Sequence, residues 1–423
     1  SPFLVEVQES AVKPIEPVFL DYQKDMSQLK AKSDIPVLYK QNVANDLFQL
    51  IYVFDMGNNH NKALGTAFDY LEYLGTSDMT PEELKSEFYR LACTFYVSPG
   101  NERTYVVLSG LNENMPAAVQ LFEKLLADAQ VNKEAYTNMT GDILKARSDA
   151  KLNQGQNFSR LMSFAMYGPK SPATNLLTEA ELTNMNPQEL VDRIHNQNSY
   201  KHRILYYGPS SSKDLLATIN QYHQVPAALK DIPAGNEYAY LETPVTKVLV
   251  APYDAKQIYM AQISNLDKKY DPAIEPIRAL YDEYFGGGMN SIVFQEMRET
   301  RGLAYSAWAS IMPPSYLKYP YVLRTQIATQ NDKMIDAVTT FNDIINNMPE
   351  SEAAFKLAKD GLTNRLRTER IIKGDIIWSY INAQDLGQNV DPRIKLYNDI
   401  QNMSLKDIVD FQKQWVKGRT YVY

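Results

Sequence analysis

The 423-residue chain contains one cysteine, Cys93, and four histidines. A single thiol excludes an intrachain disulfide framework and any zinc site built on cysteines. Within Leu-Ala-Cys-Thr-Phe, Cys93 reads as a small core residue. With so few imidazoles, a metal site must use nearly all of them or rely on carboxylates. Basic charge is also in short supply. Forty-three Lys+Arg against 50 Asp+Glu leave a net charge of −7, the wrong balance for a nucleic-acid footprint. Long apolar runs are missing too: Leu47–Phe54 is interrupted by Gln49, and no stretch reaches the ~20 apolar residues of a membrane helix. The opening Ser-Pro-Phe-Leu has neither the basic flank nor the apolar segment of a signal peptide. A soluble protein is expected, with its compartment open: cytoplasmic or periplasmic if the source is bacterial.

What is present is ordinary for a globular protein, with 44% hydrophobic and 22% charged residues. At about 150 residues per domain, the length predicts two or three domains. The chain also repeats itself. Ile51-Tyr52 answers Ile258-Tyr259, and Glu72-Tyr73-Leu74-Gly75 answers Glu283-Tyr284-Phe285-Gly286. Ala118-Val119-x-x-Phe122 answers Ala337-Val338-x-x-Phe341; Leu190-Val191-Asp192 answers Ile408-Val409-Asp410; Arg203 answers Arg419. Five matches in the same order predict a duplicated domain.

Local patterns agree. Phe48–Met56 is rich in strand formers, and Lys62–Leu74 places Leu64, Phe68, Leu71 and Leu74 at helical spacing before Gly75. Thr80-Pro81-Glu82-Glu83 has the form of a capping box with proline in the first turn. Strands are predicted at Ala92–Ser98, Thr104–Gly110 and Arg203–Tyr207, with helices filling most of 115–195. The second copy predicts strands at Lys247–Ala251, Gln257–Ser264, Leu303–Ile311, Tyr321–Thr329 and Arg419–Tyr423, with helices at Ile274–Phe285 and Ser291–Glu299. The expected organisation is a linker at 1–24, a first domain at 25–224, a proline-bearing linker at 225–246 and a second domain at 247–423. The fold class is α+β: two tandem homologous domains, each an antiparallel or mixed sheet with helices on one face.

The sharpest local pattern runs from Gly286-Gly-Gly-Met-Asn-Ser through Arg298 to Gly302-Leu-Ala-Tyr305. The glycines end one helix, Asn290 or Ser291 caps the next, and Gly302 breaks it. Arg298 on the last turn and Tyr305 on the following strand can then present donors on one side of the sheet. From spacing alone, a solvated helix end and a packed strand aromatic remain alternatives. The spacing of a phosphate-binding P-loop is not met.

This segment resembles the C-terminal part of the pitrilysin/insulysin family, which includes the mitochondrial processing peptidases and whose zinc motif is an inverted H-x-x-E-H. The family's duplicated α+β module has about this size, so the resemblance takes in nearly the whole chain. It implies that Arg298 and Tyr305, seven residues apart, match an Arg–Tyr pair that reaches the substrate carbonyl at the zinc site. It also implies where the zinc motif belongs: on the helix before Gly75-Thr76. There Thr66 and Tyr70 stand at the two histidine positions and Asp69 at the glutamate. The third ligand falls near 144–148, which reads Leu-Lys-Ala-Arg-Ser. Thr and Tyr do not replace two imidazoles on zinc, and Asp69 has no metal-bound water to activate.

The four histidines do not rebuild such a site. His60 lies in a loop-like Gly-Asn-Asn-His-Asn, His195 and His202 flank a turn, and His223 precedes the linker. None pairs with an acid at the helical zinc spacing, so all read as surface residues. Glu72, Glu82, Glu83 and Glu87 read as helix-end acids favoured by the dipole rather than as a hydrolase pair. The expectation is a chain without its own cofactor, the catalytically silent half of a zinc metallopeptidase. Zinc would lie in a partner half, fused upstream or separate, and peptides would be the substrates. The alternative is a non-proteolytic assembly subunit like the core proteins of respiratory complexes.

Overall fold

The computed structural model describes residues 15–423. The expected linker at 1–24 therefore lies mostly outside the described residues. The chain forms two compact units. The N-terminal unit holds Tyr22–Ala255 together with Ile372–Gln384 and Thr420–Tyr423; the C-terminal unit holds 15–21, Lys256–Ile371 and Asp385–Arg419.

The N-terminal unit is built on a six-stranded sheet. Its strands are β1 (Ser27–Lys30), β2 (Pro36–Gln41), β3 (Leu47–Phe54), β4 (Cys93–Pro99), β5 (Thr104–Leu111) and β6 (Arg203–Gly208), in the order β1-β2-β6-β3-β5-β4. Only the β2–β6 pair is parallel. Period-two alternation sends Leu50, Tyr52 and Phe54 to one face with Val106, Leu108, Ile204 and Tyr206. Helices cover that face. They include α1 (Leu64–Leu71), α2 (Pro81–Arg90), α3 (Met115–Asp128), α4 (Lys133–Ala150), α5 (Gln154–Tyr167), α6 (Gln188–Asn196) and α7 (Ser212–Tyr222). The capping box at α2 forms as predicted: Thr80 Oγ1 accepts from the Glu83 amide, and the Glu83 carboxylate accepts from the Thr80 amide.

The C-terminal unit has a three-stranded antiparallel sheet of β7 (Gln257–Lys269), β8 (Ser306–Met312) and β9 (Pro320–Gln330), in the order β7-β9-β8. Its helices are α8 (Glu275–Phe285), a short α9 (Ile292–Phe294), α10 (Met334–Asn346), α11 (Glu352–Thr368), α13 (Pro392–Ile400) and α14 (Leu405–Trp415). The sequence matches fall on equivalent elements. Ile51 and Ile258 lie on β3 and β7; Phe122 and Phe341 are buried on α3 and α10; Leu190 and Ile408 are buried on α6 and α14. The order β3-β5-β4 reappears as β7-β9-β8. Lys247 and Val422, both in the N-terminal unit, form a single parallel bridge. The strands expected at Lys247–Ala251 and Arg419–Tyr423 shrink to that bridge.

One helix departs from the helices-on-one-face arrangement. Helix α12 (Asp375–Asp385) belongs almost wholly to the N-terminal unit and covers the sheet's other face. Gly374, Ile377 and Trp378 meet Gln49, Ile51, Leu205 and Tyr207. The Trp378 ring stands edge-on to Tyr105 at 5.6 Å, and Tyr380 accepts from Gln28 at 3.0 Å. Ile51, Val53, Val107 and Leu205 are buried although they point away from the main core. Continuous apolar runs such as Leu50–Phe54 read as strands covered on both faces, and α12 is that second cover.

Candidate functional site

The Arg298–Tyr305 region is assembled in the C-terminal unit. Gly286 lets the end of α8 lie directly on the free edge of β8: a Cβ there would strike the Ala309 carbonyl and amide. Asp282 closes the same edge. Its carboxylate accepts from the Ile311 amide at 2.9 Å and the Ser310 hydroxyl at 2.8 Å, and it pairs with Arg278 at 2.7 Å. Burial pushes the Asp282 carboxyl up to about 6, against the opposing pull of Arg278. An edge strand capped in this way has its backbone groups satisfied and its position set.

Ser291, not Asn290, caps the next helix, accepting from the Phe294 amide at 3.3 Å. An α-helix was expected through Glu299. Only Ile292–Phe294 is α-helical, and Gln295–Thr300 continues as a π-helix. The wider turn carries Arg298, and such segments recur at functional sites. Gly302 ends it at φ +58°, a conformation that favours glycine. The chain is then anchored by Leu303 N–H to Met297 O at 2.9 Å and by Tyr305 N–H to Ala328 O at 2.9 Å. Tyr305 thus sits immediately before β8 rather than inside it.

These restraints bring the two predicted residues together. The Arg298 guanidinium carbon lies 5.1 Å from the Phe294 ring centre and 5.8 Å from that of Tyr305. Glu299 is 3.8 Å from Arg298. Tyr305 is 72% exposed, and among the described residues its hydroxyl has no hydrogen-bond partner. A guanidinium stacked beside an open phenol presents two donor types to one point in solvent.

The degenerate motif lies on α1 in the N-terminal unit. Thr66 is half-buried and Asp69 exposed. Desolvation first, and then the charge of Glu72, hold the Asp69 carboxyl above its ordinary range. Tyr70 is fully buried. Its hydroxyl donates to the Asn132 carbonyl at 2.6 Å and accepts from the Asn132 amide at 2.8 Å, so the side chain ties α1 to Asn132. On α4, Leu144 packs against the core, and Arg147 donates to the Leu177 carbonyl at 2.7 Å. Among the described residues no group of three or more His, Cys, Asp and Glu side chains is arranged to hold an ion. A hydroxyl tied to the backbone and a cationic guanidinium at the ligand positions do not fit zinc.

The histidines need a correction. His60 and His195 are local: His60 Nδ1 accepts from the Gly57 amide at 3.0 Å, and His195 Nε2 bonds the Ala129 carbonyl at 3.1 Å. His202 and His223, expected on the surface, are 7% and 0% exposed. Their Nε2 atoms are 2.8 Å apart, and His223 Nδ1 lies 2.6 Å from Glu123, itself buried on α3. Glu123 was missed, yet its position gave a signal. It falls four residues after Val119 and three before Leu126, on the apolar stripe of α3. Of the other acids, Glu83 closes the capping box and Glu87 pairs with Arg90 at 2.5 Å. Glu72 borders an apolar pocket of about 650 Å³ between α1, α2 and β4, lined by Leu71, Leu84, Phe88, Cys93 and Phe95. No helix among the described residues is long and apolar enough to cross a membrane.

Comparisons with known proteins bear on the fold and the family. Residues 204–362 match the family model described as Peptidase M16 inactive domain. A Helicobacter pylori protein named non-peptidase homolog YmxG is 24% identical over 409 residues, 90% of this chain and 89% of that protein. A Rickettsia felis protein named uncharacterized zinc protease is 20% identical over 263 residues, with only 60% of that protein covered. Among solved structures, a peptidase M16 inactive domain from Pseudomonas fluorescens superposes with a TM-score of 0.71 at 15% identity. That alignment covers 94% of this chain and 96% of that one. The periplasmic protease PqqL from Escherichia coli gives a TM-score of 0.74 at 13% identity, over 97% of this chain but 47% of PqqL. Residues 204–362 thus match the peptidase M16 inactive domain, the chain as a whole shares the fold of such domains, and it resembles the pitrilysin/insulysin/mitochondrial processing peptidase family.

Proposed function

We propose that the chain is the non-catalytic half of a two-half zinc metallopeptidase, in which it closes the peptide chamber and steadies the substrate carbonyl at the partner's metal. The observation that carries this reading is the adjacency of Arg298 and Tyr305, both open to solvent and held in place by the π-helical turn and the capped β8 edge. In that arrangement the guanidinium and phenol donate to the carbonyl oxygen as it gains negative charge, while the general base belongs to the other half. Preorganised donors of this kind contribute about 3 kcal/mol to comparable transition states.

The partner is either fused upstream or a separate subunit. This chain takes in 47% of PqqL, which favours a fused arrangement, and 96% of the Pseudomonas inactive domain, which favours a separate one. A second reading, a non-proteolytic assembly subunit, draws support from the near full-length match to a protein named a non-peptidase homolog. Purifying the protein from its source with whatever it binds, and assaying that assembly on an unstructured peptide, separates the two. Chelator-sensitive cleavage supports the first reading; a stable assembly without cleavage supports the second.

A further inference from the structure

A row of buried polar groups crosses the N-terminal unit where the chain leaves the first repeat. The Tyr200 carbonyl faces His202 Nδ1 at 2.7 Å, His202 Nε2 faces His223 Nε2 at 2.8 Å, and His223 Nδ1 faces Glu123 Oε1 at 2.6 Å. The other carboxylate oxygen accepts from Asn198 Nδ2 and from the Gln224 amide, both at 2.9 Å. Tyr52, from β3, packs its ring 4.4 Å from that of His223. Burial first, then the Glu123 charge, hold its phenol well above the ordinary range, so Tyr52 stays neutral.

Each of the three contacts along the row needs one hydrogen. A carbonyl only accepts, so His202 Nδ1 carries a hydrogen. The contact between the two Nε2 atoms needs a second hydrogen, and the contact between His223 Nδ1 and Glu123 a third. Two neutral imidazoles and an ionised carboxylate supply only two. The row is satisfied only with one proton more, either as a His223 imidazolium beside carboxylate or as protonated Glu123 beside two neutral rings. Desolvation, helped by His223, depresses His202 to about 3, which agrees with a neutral His202 donating from Nδ1. Without the extra proton, two lone pairs or two acceptors face each other in a dry interior, and a buried hydrogen bond is lost.

We propose that this row is a proton-dependent latch on the segment leading from the first repeat to the second. It ties that segment at Gln224, through Glu123. Beside it, Tyr200 and Lys230 form a parallel bridge, with Lys230 N–H to Ser199 O and Lys201 N–H to Lys230 O both at 2.8 Å. An unfolded chain has no such row, so folding takes up the extra proton that the three contacts require. The row's contribution is therefore present while that proton is held and is lost when rising pH removes it. The device senses alkalinity and releases Gln224–Lys230 from α3.

Glu123→Gln is the informative variant. With its carbonyl placed to accept from Asn198 and Gln224, the carboxamide donates to His223 Nδ1. His223 then donates to His202, and His202 to Tyr200, with every group neutral. Amide exchange of Gln224, corrected for the intrinsic rate, should accelerate about tenfold in the wild type between about pH 6 and about pH 9, the cost of one hydrogen bond. In Glu123→Gln it should stay flat. Equal pH dependence in both proteins, or none in the wild type, overturns the proposal. Imidazole ¹⁵N and Glu123 carboxyl ¹³C spectra of the wild type test the proton count independently of any variant. One imidazolium or one carboxylic acid in the row at neutral pH is expected; two neutral rings beside an ionised Glu123 refute it.

Discussion

Tyr70 and the Asn132 backbone bond each other in both directions, the hydroxyl donating to the carbonyl and accepting from the amide. At Tyr70, which the resemblance sets at a histidine position, this chain has a clamp joining α1 to the N-terminus of α4. The position has been absorbed into the core.

Tyr70→Phe should therefore lower stability by about 1–2 kcal/mol, because it removes both part-buried hydrogen bonds to Asn132; urea unfolding measures it. Replacing Thr66, Asp69 and Tyr70 together by His, Glu and His should not produce stoichiometric zinc binding, since Arg147 and its neighbours supply no third ligand. Metal analysis after dialysis checks this.

Gly286→Ala should be among the costliest small substitutions in the C-terminal unit. Its methyl group meets the Ala309 backbone, so α8 must move off β8, at about 1–3 kcal/mol for the strain. Thermal unfolding reads the loss, and a Gly302→Ala control separates it from a purely conformational penalty. Gly302 has open space at Cβ but a positive φ.

Asp282→Ala removes the acceptor of the Ile311 amide and one partner of the largely buried Arg278. Breaking a buried pair on one side typically costs about 3–5 kcal/mol. Asp282→Asn, which keeps an oxygen for Ile311 and sheds the charge, should cost clearly less. Urea midpoints of the two variants test that order.

His202 sets an acid limit. Its titration is depressed from an unfolded value of about 6.5 to about 3 by burial and then by His223. The unfolded chain therefore binds the proton first. Stability is present above about pH 6.5 and is lost as the pH falls toward 3. Urea midpoints between neutral pH and pH 4 should fall in the wild type and fall less in His202→Gln, with a difference of roughly 1–3 kcal/mol.

Much of this was legible in the sequence, for physical reasons. Alternating and continuous apolar runs specified β3, β5 and β9, and the Thr80 box specified α2. The repeat was readable because burial preserves residues such as Phe122 and Phe341 on equivalent helices. Arg298 and Tyr305 were singled out by the family resemblance, since their spacing alone left a solvated helix end and a packed strand aromatic open. Short strands β1 and β2 carried too little pattern. The π-helix was hidden because it depends on how the turn after Ser291 meets Gly302. That α12 covers the opposite face of the first sheet is a long-range packing choice, visible only as the apolar residues Ile51 and Val53 that needed a cover. His202 and His223 gave no local sign of burial, because their partners lie 21 and 100 residues apart in the chain.

The most direct test of the account is turnover by the assembled peptidase carrying Arg298→Ala or Tyr305→Phe. Both side chains are half-exposed or exposed, so assembly and thermal stability should not change. The account predicts that kcat on an unstructured peptide falls about 10–100-fold with KM little altered, the signature of lost transition-state donors. Unchanged kcat in both variants, with the assembly intact, contradicts it.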